Sequence, residues 1–132
     1  MSEKKKPRVI LADDESHIRE YLKAILVSMK CEVVGEAENG QEAVELYKSN
    51  KPDLIFLDVN MPLKTGDEAL QEIMQEDSNA FVIMLTSVAD METVKDCIGK
   101  GAANYILKDT PRKEMMEMIK ETWSNRLKSR NK

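Results

Sequence analysis

The feature that most constrains this chain is a fivefold alternation of two apolar patterns. Short segments rich in Val, Ile, Leu and Phe recur as "RVILA" (8–12), "EVVGEA" (32–37), "LIFL" (54–57), "FVIML" (81–85) and "NYILK" (104–108). Most are apolar throughout, the pattern of strands covered on both faces in a parallel sheet. Between them the apolar residues change period. Ile18, Leu22, Ile25 and Met29 repeat every three or four positions, which gives a helix one apolar face. Five strand–helix alternations predict an α/β fold, a doubly wound five-stranded parallel sheet with right-handed crossovers and helices on both faces.

Local signals place the helix ends. Asn39 with Glu42, and Thr65 with Glu68, have the spacing of a capping box and predict the starts of the second and third helices. Asp90 is placed to cap a fourth helix carrying Val94, Cys97 and Ile98, and Gly99 and Gly101 offer a left-handed stop. Thr110 reads as the N-cap of a fifth helix with Pro111 in its first position. Met116, Ile119, Trp123 and Leu127 then form an apolar stripe with Met115 beside it, while Met91 and Met118 are expected at the surface.

Composition narrows the class. At 132 residues the chain is long enough for one domain, read as 8–127 between basic tails at 1–7 and 128–132. No apolar stretch approaches the about 20 residues of a membrane span, and the N-terminus lacks a signal peptide's apolar region, so a cytoplasmic protein is expected. A formal charge of −4 argues against nucleic acid as the direct partner. Cys31 and Cys97, widely spaced in periodic segments, are read as buried or half-buried free thiols.

Ligands bind outside the carboxyl ends of the strands in such a sheet. Asp13 and Asp14 follow the first strand, Asp58 the third and Thr86 the fourth, and Lys108 closes the fifth. Any one of these could be turn punctuation, but five suitable groups at one end of four strands form a site. Packed carboxylates repel one another and call for a hard divalent cation; Mg²⁺ fits, since it uses few carboxylates and accepts phosphate oxygens. Zinc does not fit, because His17 is the sole histidine, read as a surface residue, and neither cysteine joins the cluster. A metal beside a carboxylate, with Lys and Thr opposite, suits phosphoryl transfer to a carboxylate, with an aspartyl phosphate as product.

These residues resemble the receiver domain of two-component response regulators, including the single-domain chemotaxis type. The resemblance runs from Arg8 to about Leu127 and rests on Asp13-Asp14, "LDVNMP" with Gly66 beyond it, Thr86 after an apolar strand, and "YILK" ending at Lys108. It implies a flavodoxin-like (βα)5 fold with strand order 2-1-3-4-5. It also implies that Asp58 accepts phosphate from a histidine kinase or histidine phosphotransferase. Asp13, Asp14, Asp58 and the backbone carbonyl of Asn60 would bind Mg²⁺, with Lys108 and Thr86 on the phosphoryl group. Tyr105 would turn inward as Thr86 moves, switching the surface of the fourth helix, fifth strand and fifth helix toward a protein target or output domain. The resemblance also allows a dimer formed on phosphorylation.

The chain departs from the family pattern at two positions. Asp109 replaces the proline that often follows the lysine in a cis peptide, so a trans Lys108–Asp109 bond is expected. Ser87 replaces a smaller residue after Thr86, and its hydroxyl either bonds locally or reaches phosphate. Val88 brings no polar group to orient water, which predicts slow loss of phosphate.

Other readings fit less well. A haloacid-dehalogenase-like phosphatase would carry a second Asp where Asn60 stands. A flavin carrier would need a phosphate-cradling loop where "ADDESH" is acidic. A receiver excised from a longer DNA-binding regulator remains an alternative, although "KSRNK" after Leu127 is too short for an output domain.

Overall fold

A computed structural model of the chain describes residues 6–130, with the backbone alone at 129 and 130; the outer parts of both basic tails, 1–5 and 131–132, lie outside the described residues. The elements alternate as expected: β1 (Arg8–Ala12), α1 (Ser16–Ser28), β2 (Glu32–Ala37), α2 (Gly40–Asn50), β3 (Leu54–Asp58), α3 (Gly66–Glu76), β4 (Val82–Thr86), α4 (Met91–Gly99), β5 (Asn104–Leu107) and α5 (Arg112–Arg130). All strand pairs are parallel, in the order β2-β1-β3-β4-β5.

Burial follows from that order. The central strands β3 and β4 are buried along their whole length, whereas β2, at an edge, is mostly half-exposed and its register with β1 shifts between Val9 and Ile10. The side chains of the central strands divide between two cores. Ile55, Leu57 and Met84 pack with α2, α3 and α4, while Phe56, Ile83 and Leu85 pack with α1 and α5.

The helix starts are mixed outcomes for the cap signals. Asn39 accepts the Glu42 N–H at 2.8 Å as expected, but Glu42 reaches back to the N–H of Glu38 rather than Asn39. Glu68 accepts both the N–H and the hydroxyl of Thr65, at 3.0 and 3.1 Å. Asp90 makes no cap bond, because a 3₁₀ turn, Val88–Asp90, leads into α4 and its carboxylate is engaged elsewhere. Pro111 stands one residue before α5, where its carbonyl takes the Met115 N–H.

The stripe on α5 is corrected too. Met115, Ile119 and Thr122 are its most buried residues, and Leu127 is 43% exposed. Thr122 is tolerated inside because its hydroxyl donates to the Met118 carbonyl and accepts from Asn104 Nδ2. Trp123 packs on Phe81 with ring centroids 5.6 Å apart, and the helix runs on past that contact. In α4, Val94 and Cys97 are buried but Ile98 faces outward; Met91 and Met118 are half-buried rather than exposed, Met118 against the α1–α5 core.

Candidate functional site

The strand register sets the height of the acids. Ala12 pairs with Leu57, so Asp13 and Asp58 both stand one residue beyond that pair on neighbouring strands. Both carboxylates are at most 4% exposed. Asp13 is fixed from three sides: its N–H donates to the Ala37 carbonyl, its Oδ1 accepts the Glu15 N–H at 2.8 Å, and its carbonyl accepts Arg19 Nη1 at 2.6 Å. Asp14 is exposed beside it, and carboxylate oxygens of Asp13, Asp14 and Asp58 lie within 4.8 Å of one another.

Gly66 holds the loop after Asp58 in place. Its N–H donates to the Val59 carbonyl at 2.8 Å, and a Cβ there would sit 2.0 Å from the Asp58 carbonyl oxygen. Only glycine lets α3 begin so close to the strand end.

Lys108 enters from β5, on the far side of β4. Its Nζ lies 2.9 Å from Asp13 Oδ2 and 3.1 Å from Asp58 Oδ2, and donates a hydrogen bond to Glu15 Oε1 at 2.9 Å. Burial alone would depress the Lys108 ammonium, but Glu15, Asp13 and Asp58 outweigh it and raise the pKa above the ordinary lysine value. Asp58 shows the opposite balance. Burial and the neighbouring Asp13 push its carboxyl up to about 7, against the attraction of Lys108 and the Asn60 N–H.

The expected residues do not all meet in the cavity. Asp14, Asp58, Asn60 and Lys108 line a space of about 360 Å³ together with Glu15, Ser87 and Asp90. The buried Thr86 hydroxyl instead donates to the Ser87 carbonyl at 3.0 Å. Tyr105 is half-buried against the core formed with α2, α3 and α4. Ser87 bonds locally, its hydroxyl donating to Asp90 Oδ2 at 3.1 Å. The Lys108–Asp109 peptide is trans, and no cis peptide occurs among the described residues. His17 is exposed, Cys31 half-buried and Cys97 buried, both thiols free.

Two site residues were missed from the sequence. Glu15 passed as part of an acidic loop, and Asp90 as a helix cap. Lys108 and Asn60 lie far along the chain from them, and the one local partner, Ser87 three residues before Asp90, has a spacing that also fits a helix cap.

Fit to a hard cation can be judged from the oxygens. Asp13 Oδ2 and Asp58 Oδ2 are buried and both face the Lys108 ammonium, which Glu15 also shares. One ammonium among that many carboxylates leaves negative charge in excess, and a divalent cation beside Asp13, Asp14 and Asp58 would offset it. The all-oxygen donor set fits Mg²⁺.

The family model of the response regulator receiver domain matches residues 9–120, from β1 into α5. The chain belongs to this family. As a receiver it is 41% identical to the chemotaxis protein CheY of Bacillus subtilis over 115 residues, covering 87% of this chain and 96% of that one. Among solved structures it is similar to the CheX-CheY-BeF3-Mg complex of Borrelia burgdorferi, with 32% identity, a TM-score of 0.83 and 88% of each chain covered. It also resembles the receiver domain of AraT from Geobacillus stearothermophilus, at 28% identity and a TM-score of 0.86, covering 97% of this chain and 100% of that one. This receiver is therefore of the CheY-like kind that acts in two-component signalling. Among the described residues no helix is long and apolar enough to cross a membrane.

Proposed function

We propose that this receiver is a phosphorylation switch in which Asp58 takes a phosphoryl group from the phosphohistidine of a sensor kinase or histidine phosphotransferase. An Asp58 carboxylate oxygen attacks phosphorus, the P–N bond breaks, and its electron pair leaves with the imidazole. The observation that carries this reading is the buried pair Asp13 and Asp58, whose Oδ2 atoms both face Lys108 where Asp58 and Lys108 line one cavity.

Asp13, Asp14, Asp58 and the Asn60 carbonyl would hold Mg²⁺. When bound, the ion offsets the repulsion among the carboxylates and the charge on the phosphoryl oxygens. Lys108 supplies a fixed positive charge on the other side and stabilises the product through a charge-assisted hydrogen bond. Burial of β3 fixes the height of Asp58, and Gly66 lets α3 begin against the strand end that carries it.

The dianion formed on Asp58 draws the Thr86 hydroxyl away from the Ser87 carbonyl. Tyr105 follows into the space vacated, and the surface of α4, β5 and α5 changes for a protein target or output domain. The working unit is 8–127 with basic tails on either side, acting in the cytoplasm, where histidine kinases present their phosphohistidines. Incubation with Mg²⁺ and acetyl phosphate tests this reading by intact mass. One added phosphoryl group is expected, lost in Asp58→Asn and on chelation; no addition, or addition that persists in Asp58→Asn, would refute it.

A further inference from the structure

Among the carboxylates that line the cavity, Asp90 is the one that neither belongs to the acid cluster nor pairs with Lys108. A single oxygen of it, Oδ2, accepts the Asn60 amide at 2.7 Å and the Ser87 hydroxyl at 3.1 Å. Asn60 belongs to the loop after β3, and its backbone N–H lies 3.3 Å from Asp58 Oδ1. Ser87 belongs to the loop after β4, and Asp90 ends the 3₁₀ turn just before α4. The contact therefore clasps two loops together, and all three residues line the same cavity as Asp58.

The clasp has two physical consequences. It occupies the neutral side-chain donors among the residues that line the cavity, Asn60 and Ser87, so they face a carboxylate instead of an incoming phosphate. It also adds a negative charge to the lining of the cavity in which an anionic phosphodonor must meet Asp58.

We propose that Asp90 is a positioning residue for phosphoryl acceptance, acting through Asn60 and Ser87 and through its own charge to hold the resting site against phosphorylation. This rests on the reading of Asp58 as the acceptor. Once a phosphoryl dianion stands on Asp58, it repels Asp90 and competes for the same two donors. The clasp then opens and releases the turn that leads into α4, which makes Asp90 a link between the site and that helix.

The test measures the rate at which acetyl phosphate, with Mg²⁺, phosphorylates the full chain. In this step the Asp58 oxygen bonds phosphorus, the P–O bond to the acetyl group breaks, and acetate leaves with the electron pair. Asp90→Asn keeps an acceptor oxygen but removes the charge. It should react roughly three- to tenfold faster at low salt, the effect of one carboxylate on a passing dianion at near-aqueous dielectric. That gain should shrink at about 1 M salt, where the Debye length is about 3 Å.

Asp90→Ala frees both donors as well, so part of its gain should survive high salt, and adding Ser87→Ala should reduce that surviving part. A merely structural role would give neither the salt dependence nor the coupling to Ser87. Thermal melts of each variant report whether it is folded. Folded Asp90→Asn and Asp90→Ala chains that react at or below the wild-type rate overturn this proposal alone. A wild-type chain that acquires no phosphoryl group on Asp58 overturns the acceptor reading with it.

Discussion

Lys108 reaches across β4 to place its ammonium 3.1 Å from Asp58 Oδ2, and the same nitrogen stands 2.9 Å from Asp13 Oδ2. One cation thus serves two buried carboxylates on two strands. Removing one partner from a buried charge cluster costs more than the pairing is worth, because the remaining charges stay desolvated. Lys108→Met is expected to lower stability by about 3 kcal/mol at pH 8 without metal. Mg²⁺ should restore most of the loss, since it neutralises the same oxygens. Urea unfolding with and without Mg²⁺ checks this, and an equal loss in both conditions would contradict it.

The raised Asp58 carboxyl gives a pH dependence of definite sign. Its pKa stands at about 7 in the folded chain, against an ordinary 3.8, so the folded state holds the proton more tightly than the unfolded state does. Its contribution to stability is full below the ordinary value and is lost as pH rises through about 7. Metal-free wild-type chain should therefore lose stability between pH 5 and 8 relative to Asp58→Asn, which carries no titrating group there. Mg²⁺ needs the ionised carboxylate, so its affinity should rise over the same interval. Denaturant melts and metal titrations at several pH values measure both trends.

Gly66 offers a test of how the loop serves the site. A methyl group at this position meets the Asp58 carbonyl oxygen at 2.0 Å, and backbone cannot yield as a flexible side chain can. Gly66→Ala is expected to cost on the order of 2–3 kcal/mol, within the range of overpacking. It should also lower Mg²⁺ affinity, because the displaced atoms adjoin Asp58. Unchanged metal affinity in a folded Gly66→Ala chain would show that the loop can move without disturbing the acids.

The thiols differ in environment. Burial pushes Cys97 up to about 11 and raises Cys31 above the ordinary thiol value, and the Cys97 side chain is wholly buried while Cys31 is half-buried. At pH 8 an alkylating reagent should modify Cys31 slowly and leave Cys97 untouched in the folded chain, because the thiolate is the reactive form. Both should react in denaturant, and mass spectrometry of labelled peptides distinguishes the two.

Asp13, Asp14, Asp58 and Lys108 were legible because each sits at the end of an apolar run. The parallel register that brings them together follows from strand–helix alternation. Glu15 was hidden because its partner lies 93 residues away, and Asp90 because its contact with Asn60 spans 30 residues while its local pairing with Ser87 looks like a helix cap. Thr86 was found as a residue, but its resting partner was not, since a hydroxyl chooses among nearby acceptors by rotation alone. On α5 the period was right and the face slightly off. Thr122 is inside because Asn104 and a helix carbonyl satisfy it, while Leu127 lies beyond the Phe81–Trp123 contact.

Gentle reduction of the acyl phosphate tests the assignment of the acceptor most directly. After treatment with acetyl phosphate and Mg²⁺, borohydride converts a phosphorylated aspartate to homoserine, which fragment-ion sequencing locates. Homoserine at Asp58, and at no other acid of the cavity, is the expected result. Homoserine at Asp13, Asp14 or Asp90 instead, 5-hydroxynorvaline at Glu15, or no reduced residue at all, would contradict the account.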